Sequence, residues 1–258
     1  MGEINHFEYG WITPGLSYAL SVLGSFLGLL CAVRARQAPS TAQRSWWLSL
    51  AAWALGGTAI WTMHFMAMLG FGVSGTQIRY DVPITAASAV IAIVTVGIGL
   101  FIVGLGGFSS VRIIIGGIFT GLGVAAMHYT GMAAMQINGR IDYAPGPVGL
   151  SIGIAVVAAT AALWLAMTVR GGWAIAGASL VMGLAVSGMH YTGMSAMSVH
   201  LHSTAGTVSG ATESTLLVPI LLTVIFVVIG LIYAVLAAPT DEDRAAAAYL
   251  NARMAERS

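Results

Sequence analysis

Long apolar stretches, nearly free of charged side chains, alternate with short polar segments along the whole chain. A helical stretch of about 20 apolar residues matches the hydrocarbon thickness of a bilayer. Seven stretches of at least this length are present, and each is predicted to be a membrane-spanning helix. The predicted spans are 14–33, 46–71, 84–105, 111–135, 148–169, 173–197 and 216–238. The pattern therefore predicts an all-α integral membrane protein with seven transmembrane helices.

The arginines are distributed unequally between the two ends of these spans. One end carries only Arg79 and Arg140, each within two residues of an aspartate. The other end carries eight, namely Arg34, Arg36, Arg44, Arg112, Arg170, Arg244, Arg253 and Arg257. Because basic residues concentrate on the cytoplasmic side, the bias places the N-terminus outside and the C-terminus in the cytoplasm.

The last spanning stretch is followed by a charged segment with helical signals. Acidic residues follow Thr240 in the first turn, and arginines stand in the last turn, as in a helix with favourable end charges. Residues 1–238 are therefore predicted to form the membrane domain, and residues 239–258 a short cytoplasmic helical tail.

Composition agrees with a membrane protein and excludes several chemistries. Hydrophobic residues make up 58% and charged residues 7%, against roughly 25% charged in soluble domains. All ten basic residues are arginine, so a retinal, pyridoxal or P-loop lysine is excluded. The single Cys31 excludes a disulfide framework and any multi-cysteine metal site. A net charge of +1 gives no basis for nucleic-acid binding.

Three of the predicted spans end in related sequences that each contain one histidine. They are MHFMAMLGF from Met63, MHYTGMAAM from Met127 and MHYTGMSAM from Met189. Each interval between them holds two spans, so all three copies run through the membrane in the same direction. The sequence therefore predicts three parallel two-helix repeats followed by a seventh helix.

The histidines of these copies, His64, His128 and His190, are predicted to lie at one depth. They follow the cytoplasmic starts of their spans by 16–18 residues, which corresponds to about 24–27 Å of helix near the outer face. An ionisable residue inside the membrane is costly and is a functional hypothesis by default. A parallel threefold repeat would let the three imidazoles converge on one metal site.

A methionine follows each of these histidines by four residues and therefore shares its helix face. These methionines are Met68, Met132 and Met194. Imidazole combined with thioether favours copper, and thioether selects Cu(I). Imidazole alone also serves zinc or haem iron, which stay as alternatives. The residues predict a metal site of histidine and methionine.

Other residues near the repeats receive simpler interpretations. Gly131 and Gly193 are expected to allow close helix packing and are assigned no chemistry. His6, His200 and His202 lie in predicted outer segments, and their participation in metal binding is left open.

The repeated motif resembles the bacterial MHYT domain family. Two copies read MHYT, and the first reads MHFM, with Phe65 and Met66 in place of tyrosine and threonine. The family is understood as a sensor domain of the bacterial inner membrane, usually fused to cyclic-di-GMP or histidine-kinase output domains. The resemblance implies copper binding and, through the metal, detection of a diatomic gas such as O2, CO or NO.

The resemblance also implies further residues at the metal. It adds the methionine before each histidine and the tyrosine after it in two copies. These residues are Met63, Met127 and Met189, with Tyr129 and Tyr191. We expect the tyrosines to support the ligands rather than to bind the metal.

The sequence is accordingly predicted to be a sensor and not an enzyme, with the lipid bilayer, a diatomic gas or metal ion, and a cytoplasmic signalling protein as partners. Two alternatives stay open. Histidine and methionine ladders can pass copper along, which would suit metal transport or handover. A three-histidine zinc hydrolase would need a carboxylate base, and no acidic residue lies within any predicted span.

Overall fold

The computed structural model describes residues 3–202, 207–238, 249 and 253–254. These residues form seven helical rods, one of which is built from three consecutive helical segments. The helices are α1 (Ile12–Gln37), α2 (Thr41–Ala52), a π-helical segment (Trp53–Thr62), α3 (Met63–Met68), α4 (Val82–Gly104), α5 (Ser110–Ala133), α6 (Pro145–Thr168), α7 (Gly172–Met194) and α8 (Glu213–Leu236). The predicted helical tail from Thr240 lies almost entirely outside the described residues.

Six of these helices are long and apolar enough to cross a membrane, namely α1, α4, α5, α6, α7 and α8. The remaining rod, residues 41–68, runs through α2, the π segment and α3 without a break. It covers most of the predicted second span, 46–71. The helical class of the protein is therefore confirmed, with six single-helix candidates for spans rather than the predicted seven.

Helix starts follow local capping chemistry. The Asp81 carboxylate accepts a hydrogen bond from the backbone N–H of Ile84, with Pro83 in the first turn of α4. The Ser40 and Thr212 side chains cap α2 and α8 in the same way. These caps fix where the apolar helices begin, because the first backbone N–H groups of a helix have no partner inside it.

The π segment packs tightly against α1. A Cβ added to Gly24 of α1 would stand 2.4 Å from the backbone nitrogen of Ala59 and 2.8 Å from the carbonyl oxygen of Ala54. Within the segment, the Thr62 hydroxyl donates to the Gly57 carbonyl, five residues earlier, at 2.9 Å. The glycine contact sets the position of the π segment, and hence of α3, relative to α1.

Short antiparallel strands, which the all-α prediction did not contain, join the loops at one end of the bundle. The described residues form three two-stranded sheets, pairing β1 (Ile4–Asn5) with β2 (Gly72–Val73), β3 (Arg79–Tyr80) with β4 (Met135–Gln136), and β5 (Gly139–Tyr143) with β6 (Met197–Leu201). The predicted spans 111–135 and 173–197 ran past the true helix ends because buried apolar residues continue into β4 and β6.

Two apolar clusters fill the molecule and meet near the ends of α3, α5 and α7. The larger cluster lies among the helices and includes Met127 and Met189. The smaller cluster lies at the strand end and includes Met68, Met132 and Met194. In the second and third repeats, the histidine follows a methionine of the larger cluster and precedes a methionine of the smaller one. In the first repeat, His64 directly precedes Phe65 of the smaller cluster. The histidines therefore form a polar layer where the two clusters meet.

Candidate metal centre

Helices α3, α5 and α7 each contribute one histidine to a single cluster, the histidine triad of His64, His128 and His190. The Nδ1 atom of His64 lies 3.0 Å from Nδ1 of His190 and 3.1 Å from Nδ1 of His128. The ring centroids are 4.9–5.2 Å apart, and the rings meet edge to face. One nitrogen from each ring lies within 4.8 Å of the other two. The convergence expected from the repeat spacing is present.

The spacing of these nitrogens suits one shared metal ion. Imidazole nitrogen binds zinc at about 2.0–2.1 Å, and two such nitrogens at a tetrahedral angle lie about 3.3 Å apart. The observed Nδ1 separations of 3.0 and 3.1 Å are close to this value. The three buried histidines can therefore hold a metal ion, and their donor set leaves a coordination position open for a further ligand.

The triad is buried from solvent. The exposed fractions of His64, His128 and His190 are 3%, 0% and 1%. The Nε2 atoms of His128 and His190 have no hydrogen-bond partner among the described residues. A buried polar atom without a partner destabilises the folded protein. The triad therefore lowers stability unless a bound ligand offsets this cost, which makes it a candidate functional site.

Gly131 and Gly193 provide the space that the imidazole rings occupy. A Cβ on Gly131 would stand 2.3 Å from Nε2 of His64, and a Cβ on Gly193 would stand 2.3 Å from Nε2 of His128. Each of these rings is thus seated against the helix of the next repeat, with Nδ1 turned toward the other histidines. From the sequence alone, both glycines are expected only to allow close helix packing. Both glycines stand three residues after a histidine, and this repeated position is the sequence signal that could have linked them to the site.

The two predicted tyrosines pack against the histidine rings. Tyr129 lies edge to face with His128 at 4.8 Å between centroids, and Tyr191 lies likewise with His190 at 5.0 Å. The Tyr129 hydroxyl also shares a 2.7 Å hydrogen bond with the hydroxyl of Ser151 in α6. The tyrosines therefore pack beside the rings, and their supporting role at a metal stays a prediction.

The six predicted methionine ligands are all buried. Met68, Met132 and Met194, four residues after the histidines, lie in the strand-end cluster. Met127 and Met189, directly before two of the histidines, lie in the larger helix cluster, and Met63 is also buried. Coordination by these thioethers stays a prediction, as does the choice of metal.

The N-terminal segment crosses the strand end of the bundle close to the triad. The backbone N–H of Glu8 donates to the Gly70 carbonyl at 2.9 Å, and the His6 ring lies 5.6 Å from the ring of Phe71. Phe7 packs near Tyr191 with centroids 5.8 Å apart. His6 is half-buried, and this burial lowers the pKa of its imidazole. The segment therefore packs against the residues that follow α3 and against Tyr191 of α7.

His200 and His202 do not join the triad in the described structure. His200 lies on β6, where its Nε2 stands 3.9 Å from a carboxylate oxygen of Asp142 on β5. The backbone N–H of His202 donates to the Asn138 carbonyl at the end of the same hairpin. Both side chains are exposed, so they belong to the surface of this hairpin rather than to the buried site.

A row of buried hydroxyls on α1 was missed by the sequence analysis. Thr13, Ser17, Ser21 and Ser25 follow one another at intervals of four residues, and all four are buried. Ser17 donates to the Pro14 carbonyl, whereas the other three hydroxyls have no partner among the described residues. The signal was this four-residue spacing of polar residues within an apolar span, which places them on one helix face.

Comparison with known families connects the repeats to signalling proteins. The profile of a family described as MHYT, a bacterial signalling protein N-terminal repeat, matches residues 57–116 and 121–179. The two matched repeats contain His64 and His128, and His190 lies beyond the second match. No solved structure gives a significant match.

Several curated proteins are similar to this chain. The bifunctional diguanylate cyclase/cyclic di-GMP phosphodiesterase MucR of Pseudomonas aeruginosa is 37% identical over 236 residues, which cover 89% of this chain and 34% of MucR. The cyclic di-GMP phosphodiesterase NbdA of the same bacterium is 37% identical over 157 residues, which cover 58% of this chain and 20% of NbdA. The signalling protein YkoW of Bacillus subtilis is 31% identical over 160 residues, which cover 57% of this chain and 20% of YkoW. The matched part of this chain spans about a third or less of each relative.

Proposed function

Because this chain belongs to the MHYT family of bacterial membrane signalling proteins, we propose that it is a sensor whose histidine triad binds one metal ion. The observation that carries this proposal is the meeting of three buried Nδ1 atoms from three different helices. The 3.0 and 3.1 Å contacts, which also lie within hydrogen-bond distance, bring the same nitrogen of all three rings together, as one shared metal ion requires.

The chain is a multi-pass protein of the bacterial inner membrane. Beyond that, we infer that residues 41–68 supply a seventh span, so that three parallel two-helix repeats precede α8. The arginine bias then places the N-terminus and the triad near the outer face, and the C-terminus in the cytoplasm. Residues 1–238 would be the sensor domain, and residues 239–258 a short tail on the output side.

Copper is the metal that the donor set favours. Buried methionines flank the histidines on both sides along each helix, and soft thioether ligands select Cu(I). His64, His128 and His190 would hold the ion, and Met68, Met132 and Met194 are the thioethers on the same helix faces. Copper bound there would supply an open coordination position for a small ligand such as O2, CO or NO, or would itself be the detected species.

The signal would travel through the helices that carry the ligands. Since α3, α5 and α7 each bear one histidine, a change in ligation at the centre changes the preferred distances between three helices at once. Two of the rings pack closely against Gly131 and Gly193 of the neighbouring repeat, so a displacement of either ring is passed to the helix that it contacts. The cytoplasmic ends of these helices would move with them, and a signalling partner would respond there. The relatives MucR and NbdA are named for cyclic di-GMP enzymes, which makes cyclic di-GMP signalling the first output to examine.

Metal analysis of the purified protein tests this proposal. Wild-type protein in detergent should retain copper at close to one ion per chain after dialysis, measured by mass spectrometry. Replacing His64, His128 and His190 together with alanine should remove it. A control with His200→Ala and His202→Ala should keep it, because those side chains lie on the exposed hairpin.

Two results would overturn the proposal in different ways. Full retention of copper in the triple variant would place the metal elsewhere. Zinc at one ion per chain, bound by the triad, would replace copper and favour the hydrolase alternative.

A further inference from the structure

A cavity of about 90 Å³ lies inside the bundle next to the histidine triad. Its wall includes Ile60, Val124 and Val186, each of which stands four residues before one of the three histidines. Four residues of α-helix rise about 6 Å. The cavity therefore lies about one helical turn from the triad, on the side away from the strands.

The wall of this cavity is almost entirely apolar. The α6 side is built from alanines, including Ala155, Ala159 and Ala162, whose short side chains leave the space open. Two hydroxyl residues, Ser25 and Thr120, also line it. Both are buried, and their hydroxyls have no hydrogen-bond partner among the described residues. A wall of this composition rejects charged molecules, and these two hydroxyls are its unpaired hydrogen-bonding side chains among the described residues.

The cavity reaches the lipid-facing surface between α6 and α7. Ala161 on α6 and Val181 on α7 line it, and both side chains are exposed, Val181 to 63%. At this depth of a membrane-spanning bundle, an exposed apolar side chain faces hydrocarbon rather than water. A molecule dissolved in the bilayer therefore has a short path from lipid to the interior.

The volume limits the size of an occupant. An apolar cavity of about 150 Å³ in another protein binds benzene or xenon and stays dry otherwise. At about 90 Å³ this cavity suits a molecule smaller than benzene.

We propose that this cavity binds a small, uncharged, lipid-soluble molecule and holds it one helical turn from the triad. Such a molecule would arrive from the bilayer between α6 and α7 and would not need to pass the N-terminal segment. Binding to the cavity depends only on the wall residues. Its consequence for ligation at the triad rests on the proposed function.

Xenon is a suitable probe because it is uncharged, prefers apolar cavities and needs no metal. Crystals of the protein, or protein in detergent followed by xenon nuclear magnetic resonance, should show one saturable site in the wild type. In crystals its position should lie among Val124, Ala159 and Val186. Ala159→Leu should abolish the site by filling it, whereas Ala87→Leu, the same change at an exposed position of α4, should leave it intact.

Two results for the wild-type protein would overturn the proposal. One is the absence of a saturable xenon site, and the other is density for an ordered water cluster in the cavity that xenon does not displace. Xenon binding that survives in a folded Ala159→Leu variant would place the site elsewhere. If that variant fails to fold, Ala162→Val provides a milder filling of the same wall and should weaken binding.

A metal-free variant distinguishes this proposal from the function proposed above. The triple alanine variant of the histidine triad should still bind xenon, although it should bind no metal. Loss of metal with retained xenon supports both proposals, and retained metal with retained xenon overturns only the metal assignment.

Discussion

Gly193 lies three residues after His190 and faces the ring of His128 across the helix interface. A methyl group at this position would stand 2.3 Å from Nε2, well inside van der Waals contact, and the opposing atom belongs to a ring seated in a packed interior. The ring would have to turn or retreat, and its Nδ1 would leave the shared point. A residue without chemistry of its own thus controls a ligand.

We predict that Gly193→Ala lowers metal affinity about 10- to 100-fold, the range found when the support of a ligand is removed. Gly188→Ala on the same helix is the control, because a Cβ there meets nothing within 4 Å. Competition titration with a copper chelator measures both variants. Equal affinities in Gly193→Ala and wild type would show that this glycine does not position His128.

The sequence was sufficient to find the histidines but not their supports. His64, His128 and His190 stood out because the motif recurs with two spans between copies, and that spacing also implied that they meet. The role of Gly131 and Gly193 depends on the register between neighbouring helices, which no periodicity within one helix reveals. The thioether ligands stay a prediction, because the i+4 spacing gives a shared helix face and not a sulfur position.

Among the helices, the close contact between α1 and the π segment sets the position of the first histidine repeat. Gly24 allows the backbone of Ala59 to come close, and His64 follows five residues later in the same rod. We predict that Gly24→Ala destabilises the protein by about 1–3 kcal/mol, since overpacking against backbone forces the helices apart.

Gly15→Ala on the same helix is the matched control for this prediction, because a Cβ at Gly15 meets nothing within 4 Å. Thermal unfolding in detergent measures both variants. A transition temperature in Gly24→Ala as high as in Gly15→Ala would contradict the close approach of the two segments.

The N-terminal segment is predicted to loosen in acid. Burial lowers the pKa of His6, so the packed segment favours the neutral ring. When the segment is detached, His6 has its ordinary pKa of about 6.5 and takes up a proton more readily than when the segment is packed. Packing of the segment therefore weakens as the pH falls through about 6.5. Above that pH, His6 is neutral in both states and does not oppose packing.

Hydrogen exchange in metal-free protein measures this effect at the Glu8 N–H, which is bonded to the Gly70 carbonyl. After correction for intrinsic rates, protection should be lower at pH 5.5 than at pH 7.5. His6→Gln should remove the difference. Protection that is equal at both pH values in the wild type would refute the prediction.

The apolar pattern located the helices, and placed their ends to within a few residues. The predicted spans agree with all seven rods to within a few residues, because length and apolar content alone decide which segments are buried in a bilayer. The π segment and the strands were not predicted. Residues such as Met135 and Met197 are as apolar as their helical neighbours, so hydropathy cannot show that the backbone has left the helix.

For the molecule as a whole, the arginine bias predicts that the triad and the strands face outward. In a Cys31→Ser background, Glu3→Cys at the strand end should react with a membrane-impermeant maleimide on intact spheroplasts. Gln37→Cys, at the last residue of α1 and the opposite end of the bundle, should react only once the membrane is permeabilised. The reverse pattern of labelling would invert the topology and place the site toward the cytoplasm.

The repeat organisation, rather than any single residue, makes one site out of three helices. Parallel repeats bring equivalent positions to one level, so His128 and His190, which lie 64 and 126 residues beyond His64 in sequence, each place Nδ1 within 3.1 Å of its Nδ1. The repeat geometry alone does not determine which metal binds. It also does not determine the small ligand of the metal or the output protein.

The most direct test of the account is X-ray absorption spectroscopy of the copper-loaded protein. We predict a first shell with three nitrogen scatterers at about 2.0 Å and the multiple-scattering pattern of imidazole. That pattern should disappear in the triple alanine variant of His64, His128 and His190. A first shell without imidazole scattering, or one unchanged in the variant, would contradict the claim that the three histidines share one metal ion.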